Sequence, residues 1–182
     1  MPKSRVAGVG ASGVVMVGNS SDRDEPATVL NRRMPALHSL RPSTPGDAGW
    51  IAELRAEVMR PDLQRLDRFD PSWVRERFLR SFAAEHTRVI EVGGHAVGSI
   101  AVRPEPGERW IEHFYLADGQ QGRGIGGAVL RGVLGESPDA RPFRLNVLQG
   151  SAARRLYERH GFVFEREDAI DVFLVRHPSN PT

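Results

Sequence analysis

Between residues 120 and 127 the chain reads Gln120-Gln121-Gly122-Arg123-Gly124-Ile125-Gly126-Gly127. This turn joins a strand-like segment, Trp110 to Leu116, to a helix-like one, Arg123 to Leu134. Four glycines in six residues remove the Cβ atoms that would hold a ligand away, and the N–H groups of the helix's first turn point the same way. A pyrophosphate fits such an array. The helix dipole adds roughly 0.3–1 kcal/mol of preference for negative charge, and Arg123 can add a full positive charge.

Three patterns fit this stretch. Gly122, Gly124 and Gly127 spell G-x-G-x-x-G, the dinucleotide fingerprint, which calls for a position near the start of a doubly wound sheet and an acidic residue ending the next strand. Neither condition is met: the next strand-like segment, Phe143 to Leu148, runs into Gln149 and Gly150. A Walker loop needs Gly-Lys-Ser/Thr, and the only lysine is Lys3. Gln121-x-x-Gly124-x-Gly126 is left.

That pattern resembles the pyrophosphate loop of the GNAT family of acetyl-CoA-dependent N-acyltransferases, Gln/Arg-x-x-Gly-x-Gly/Ala after the fourth strand. A second stretch, Ser151-Ala152-Ala153-Arg154-Arg155-Leu156-Tyr157-Glu158-Arg159-His160-Gly161-Phe162, is similar to the family's Asn-x-Ala-x-x-Leu-Tyr-x-x-x-Gly-Phe, in the right order and at the right spacing. A third, Ser39 to Asp47, resembles its opening strand. Together they span about residues 38 to 176. The resemblance implies a three-layer α/β/α sandwich around a mostly antiparallel mixed sheet of six to seven strands, parallel between the fourth and fifth. It also implies acetyl transfer from acetyl-CoA to a primary amine by direct attack in a ternary complex.

By the same resemblance Gln121, Gly122, Arg123, Gly124, Ile125, Gly126 and Gly127 hold the pyrophosphate. It implies too that the fourth strand bulges and splays from the fifth, so that backbone groups of Leu116, Ala117 and Asp118, with Phe114 as a further contact, meet the pantetheine arm and the thioester carbonyl, and that Tyr157 protonates the leaving thiolate. A phenol with a pKa of about 10 can do so only if held close. Ser151 stands where the family typically has Asn. Both cap helices, but a side-chain contact to the pantetheine falls into doubt, and Asn146 is the candidate to replace it. Arg154 and Arg155 are candidates to reach the nucleotide phosphates, with a solvated helix face as the alternative for either.

For the base, strict strand alternation puts Glu112 on one face with Phe114 and Leu116, and His113 on the other with Tyr115. Glu112 is the first candidate to take the amine proton and His113 the reserve, because an imidazole titrates in the useful range. The other histidines have no ligand spacing, so no metal is expected. By the resemblance the acceptor is specified by the first two helices, their loop and the last hairpin, roughly Arg55 to Phe82 and Glu165 to Val172, where Asp62, Asp67, Asp70 and neighbouring Glu57 could receive a cationic amine or serve only as solvated surface. A catalytically weak acyl-CoA-binding regulatory module, and a protein N-terminal or lysine acetyltransferase, stay open beside the small-molecule enzyme.

A chain of 182 residues suits one domain. No run approaches the ~20 apolar residues of a membrane span, and with no cysteine there is neither disulfide nor thiolate. Twenty-five basic residues against 23 acidic, interleaved along Arg55 to Arg80, argue against a nucleic-acid footprint. A cytoplasmic protein with room for homodimerisation is the expectation. Residues 1–36 lack any period and are expected to be a disordered extension, with Met34 an alternative start. Residues 37–176 form the domain and 177–182 a tail.

Coarse elements follow. Ala36 to Arg41 is a strand, and Thr44 caps a helix to about Met59 that Pro61 interrupts. Ser72 caps a second helix through Phe82, with Trp73, Val74, Phe78, Leu79 and Phe82 as its apolar face. Arg88 to Val92 and Ala96 to Arg103 form a hairpin about Gly93-Gly94. Phe162 to Arg166 and Ile170 to Val175 complete the sheet.

Overall fold

The computed structural model describes residues 38–136 and 139–178. The extension expected over residues 1–36 and the last four tail residues lie outside them. Among the described residues seven strands and five α-helices follow in the order β1 (His38–Pro42), α1 (Ala48–Val58), α2 (Arg60–Arg65), α3 (Pro71–Ser81), β2 (Thr87–Val92), β3 (His95–Glu105), β4 (Glu108–Leu116), α4 (Ile125–Gly135), β5 (Phe143–Leu148), α5 (Ala153–Arg159), β6 (Val163–Glu167) and β7 (Asp171–Arg176). They form one sheet of order β1-β2-β3-β4-β5-β7-β6. Every neighbouring pair is antiparallel except β4 and β5, which run parallel.

Alternating side chains give the sheet two apolar faces. On one, Ile100, Ile111, Phe114, Leu116, Leu145, Val147 and Leu174 pack with Ile125, Val129 and Leu130 of α4 and with Leu156 and Tyr157 of α5. On the other, Tyr115 and Leu148 meet Ile51, Leu54 and Val58 of α1, Leu63 of α2, and Val74 and Phe78 of α3. Helices on both faces make the three layers.

Local chemistry explains the boundaries. Gly93 and Gly94 adopt φ of 58° and 79°, which a primed hairpin turn needs. Asp47, just ahead of α1, takes both terminal nitrogens of Arg41 at 3.0 and 2.8 Å, the Trp50 indole N–H at 2.9 Å and the Thr44 N–H at 2.8 Å. The Arg41 guanidinium holds its carboxyl well below the usual carboxylate range. This cluster ties the end of β1 to the first helix. Pro61 opens α2 rather than only ending α1, because a first-turn proline gives up an N–H that has no partner there anyway. The cap of α3 is Asp70, not Ser72. With Pro71 at the first helical position, the Asp70 carboxylate accepts the N–H groups of Ser72 and Trp73 at 2.9 and 3.0 Å. Of the apolar residues expected to face the core from α3, Val74 and Phe78 do, whereas Trp73 and Leu79 lie 43% and 49% exposed.

Candidate active site

Strands β4 and β5 pair at only two positions, Arg109 with Phe143 and Trp110 with Arg144. Beyond them Ile111–Leu116 and Leu145–Leu148 diverge and open a gap in the middle of the sheet. A bulge sets in at the same level. Ala101 pairs with Glu112 and Ser99 with Tyr115, so His113 and Phe114 together oppose the single residue Ile100. His113 takes φ of 49°, in the left-handed region that costs a non-glycine residue about 1–2 kcal/mol. Ser99, fully buried, donates its hydroxyl to the His113 carbonyl at 2.7 Å, which satisfies the group that the bulge turns out of the ladder.

The bulge overturns strict alternation. Ile111, Phe114 and Leu116 all belong to the core beneath α4 and α5, so Glu112 points to the opposite face. It shares that face with Tyr115 and with His113, whose ring meets Phe78 edge-on at 4.8 Å. Glu112 therefore sides with His113 and Tyr115, not with Phe114 and Leu116. Its carboxylate is buried and held by Arg103, whose Nε and Nη2 approach at 2.9–3.3 Å. Burial, with the charges of Arg55 and Arg103, pushes the His113 imidazole down to a pKa of about 3. That is far below the range expected of the ordinary side chain. His113 is thus a neutral hydrogen-bonding group, 3.2 Å from the Tyr115 hydroxyl and 3.5 Å from that of Ser81.

The glycine loop lies past the end of β4. Gly122 and Gly124 take φ of 69° and 81°, and a Cβ on either would meet nothing within 4 Å. Glycine is needed here for backbone conformation and leaves the loop's outer surface bare. Gly124 is the N-cap of α4, so the helix begins at Ile125, two residues later than the apolar pattern implied. The N–H groups of Ile125, Gly126 and Gly127 form its first turn. Gln121 folds back to donate its amide to the Leu116 carbonyl at 2.7 Å and to Asp118 at 3.2 Å. The Ala117 N–H donates to Val97 at 2.9 Å. These contacts fasten the loop to the end of β4 and engage part of the backbone expected to meet pantetheine. Arg123 donates to Gln120 at 2.6 Å, and Arg154 pairs with Glu158 at 2.7 Å.

Tyr157 projects from α5 into the core on the α4 and α5 side, fully buried and edge-on to Phe162 at 5.6 Å. Its hydroxyl has no hydrogen-bond partner. Burial pushes its pKa well above the ordinary value, and the neighbouring Tyr115 phenol adds to the rise. A buried unpartnered hydroxyl costs about 1–3 kcal/mol. Ser151, one residue before the Ala152 N-cap of α5, accepts the Ala153 N–H at 3.3 Å. Asn146 of β5 does not face Tyr157. It lies on the α1–α3 face and donates to Asp171 at 2.8 Å, while its own carbonyl oxygen is buried without a partner.

Four residues of that face were not singled out by the sequence, although Arg55 of α1, Arg77 of α3 and Asp171 fall in the stretches expected to meet the acceptor and Tyr115 was expected beside His113. Arg55 is 3% exposed and donates to the Tyr115 hydroxyl. Burial raises the pKa of Asp171. Of the acidic positions expected to receive a cation, Asp62 pairs with Arg65 at 3.0 Å and Asp70 caps α3. A cavity of about 490 Å³ opens beside them, lined by Gln64, Asp67, Arg68, Phe69 and Asp70. Among the described residues no group of three or more His, Cys, Asp or Glu could hold a metal ion, and no helix is long and apolar enough to cross a membrane.

Residues 83–164 match the family model of the acetyltransferase (GNAT) domain. The fold is shared with solved acetyltransferases. An N-acetyltransferase from Staphylococcus aureus Mu50 aligns with a TM-score of 0.59 at 19% identity, over 75% of this chain and 99% of that one. The PaiA N-acetyltransferase of Thermoplasma acidophilum, in complex with coenzyme A, aligns with a TM-score of 0.66 at 15% identity, over 78% and 99%. N-acetylglutamate synthase from Neisseria gonorrhoeae, complexed with coenzyme A and N-acetyl-glutamate, aligns with a TM-score of 0.55 at 16% identity, over 78% of this chain and 35% of that one. A sequence comparison with curated proteins finds no match.

Proposed function

We propose that this chain, built on a GNAT acetyltransferase domain, is an N-acetyltransferase that moves the acetyl group of acetyl-CoA to a primary amine by direct attack in a ternary complex. The observation that carries this reading is the Tyr157 hydroxyl, buried, unpartnered and kept protonated beside a gap in the sheet. The bare glycine loop at the head of α4 supports it, as does the fold shared with two coenzyme A complexes.

Acetyl-CoA supplies an activated acyl group on a thiol that can depart. The loop from Gln121 to Gly127 cradles its pyrophosphate through the first-turn N–H groups of α4, and Arg123, with Arg154 if it leaves Glu158, adds positive charge. The edge of β4 that β5 leaves unpaired, from Phe114 through Leu116 toward Asp118, aligns the pantetheine arm and offers backbone donors to the carbonyl oxygen, the arrangement that stabilises developing negative charge most. The Tyr157 hydroxyl gives its proton to the departing sulfur. On the α1–α3 face Glu112, steadied by Arg103, takes the amine proton through water, and neutral His113 orients the Tyr115 hydroxyl. Asn146 and Ser151 hold the end of β5 and the start of α5.

A screen of amines with acetyl-CoA, read by thiol release, tests the reading, with Tyr157→Phe as its control. That variant keeps the ring and its packing, so turnover should fall by roughly one to three powers of ten, the scale of one positioned acid, while coenzyme A affinity holds. The hold of Arg103 on Glu112 favours one competing reading, an acyl-CoA-binding regulatory module. Tight acetyl-CoA binding with no transfer to any amine would establish it instead.

A further inference from the structure

We propose that the acceptor amine also carries an oxyanion, a carboxylate or a phosphate, and that Arg55 binds it. This rests on the acetyltransferase reading and names the substrate class of the same site.

Only two arginines among the described residues are buried, Arg55 and Arg109. Arg109 is paired with Asp139. Arg55 has no carboxylate partner: its Nη1 donates to the neutral Tyr115 hydroxyl, its guanidinium lies 5.8 Å from the Tyr115 ring centroid, and its Nε is buried with no hydrogen-bond partner. A buried cation is ordinarily compensated by an anion, so this one is left in want of a counter-charge.

Its surroundings sharpen the want. Arg77, reaching in from α3, feels the repulsion of Arg55, which adds to burial in lowering its pKa. It also feels the attraction of Asp171, and Glu112, already bound by Arg103, lies on the same face, so Arg55, Arg77, Tyr115, Asp171 and Glu112 form one electrostatic neighbourhood. On the same face Asn146 Oδ1 is buried without a donor, its Nδ2 already given to Asp171. The face thus offers a cationic donor lacking an acceptor and an amide oxygen lacking a donor. A molecule bearing an oxyanion and an N–H supplies both. A plain amine or polyamine satisfies only the second and leaves Arg55 Nε without an acceptor. The planar fork of Arg55 suits carboxylate and phosphate alike.

The test compares kcat/KM for the twenty standard amino acids and phosphoethanolamine with that for alaninamide, ethylamine and spermidine, in the wild type, Arg55→Met and Arg55→Lys. The best oxyanion-bearing acceptor should exceed the uncharged amines roughly 10- to 100-fold, the scale of one hydrogen bond to a charged group. Arg55→Met should erase that ratio with coenzyme A affinity unchanged, and Arg55→Lys should keep part of it. Amino acids in the lead identify a carboxylate, phosphoethanolamine a phosphate. Equal or better use of the uncharged amines, or a ratio that survives Arg55→Met, overturns the proposal. If no amine is acetylated, the acetyltransferase reading fails by itself, and calorimetric titration of the same acids into the coenzyme A-loaded protein decides: Arg55-dependent binding sustains the anion site, and no binding overturns it. If Arg55→Met does not fold, the ratio in Arg55→Lys decides, an undiminished one counting against the proposal.

Discussion

Lowering the pH should destabilise this protein through one imidazole. His113 sits among Phe78 and Ser81 of α3, Arg55 of α1, Arg103 of β3, and Glu112 and Tyr115 of β4, and its pKa falls from 6.5 to about 3. A histidine with a depressed folded-state pKa contributes stability that is fully present above the unfolded value and is lost as pH falls from 6.5 toward 3, because the unfolded chain takes up a proton the folded chain refuses. At pH 5 the deficit spans one and a half pH units, and at about 1.36 kcal/mol per unit it comes to about 2 kcal/mol. At this chain length that corresponds to a fall in Tm of about 4–8 °C. Calorimetric melting of wild type and His113→Gln at pH 8 and pH 5 isolates the imidazole, since Asp171 and every other titrating group are common to both. The wild type should lose about 2 kcal/mol more than the variant over that interval. Parallel pH slopes would refute the burial argument and make His113 an ordinary titrating base.

Three further outcomes are expected. In Gly124→Val a φ of 81° confronts a β-branched side chain, so coenzyme A binding measured by calorimetry should be lost while circular dichroism reports a folded protein; unchanged affinity would remove the loop from the site. Glu112→Gln keeps the shape of the side chain but weakens its tie to Arg103 and removes the proton acceptor, so turnover should drop at least about tenfold with coenzyme A affinity intact, and full activity would show the carboxylate to be purely structural. A Cβ at Gly98 would overlap the Tyr115 carbonyl oxygen and come within 2.9 Å of Leu116 Cδ2, so Gly98→Ala should cost about 1–3 kcal/mol in denaturant melts as the bulge is forced aside; a neutral effect would mean that β3 and β4 slide freely.

Much of the scaffold was legible in the residues. The Gly93-Gly94 turn and the glycine loop stand where sequence chemistry put them, because each depends on neighbours close along the chain. What escaped depends on distant partners. The resemblance implied that the fourth strand bulges and splays from the fifth, but nothing between Trp110 and Leu116 says at which residue: the bulge falls where Ile100 must oppose both His113 and Phe114, and it leaves Glu112 on the other face. Arg55 reads as one more charge on an amphipathic helix, and only the hydroxyl of Tyr115, sixty residues away, marks it as buried. Ser72 looked like a cap because its type suits one, whereas Pro71 moves the helix start so that Asp70 takes the role. Asp62, Asp67 and Asp70 suggested a cation site, but Asp62 and Asp70 are bound to Arg65 and to the first turn of α3.

The two rungs that join β4 to β5 leave the sheet as two panels sharing a short seam. One panel, β1 to β4, carries Glu112, His113 and Tyr115, and the other, β5 to β7 with α5, carries Asn146, Asp171 and Tyr157. A pantetheine arm laid in the gap would act as the missing crossbar, so this protein should stiffen across its middle when loaded, with amide exchange slowing most along Ile111–Leu116 and Leu145–Leu148 and least at the far edges, β1 and β6. Affinity for the donor and rigidity between the panels would then be one quantity measured in two ways.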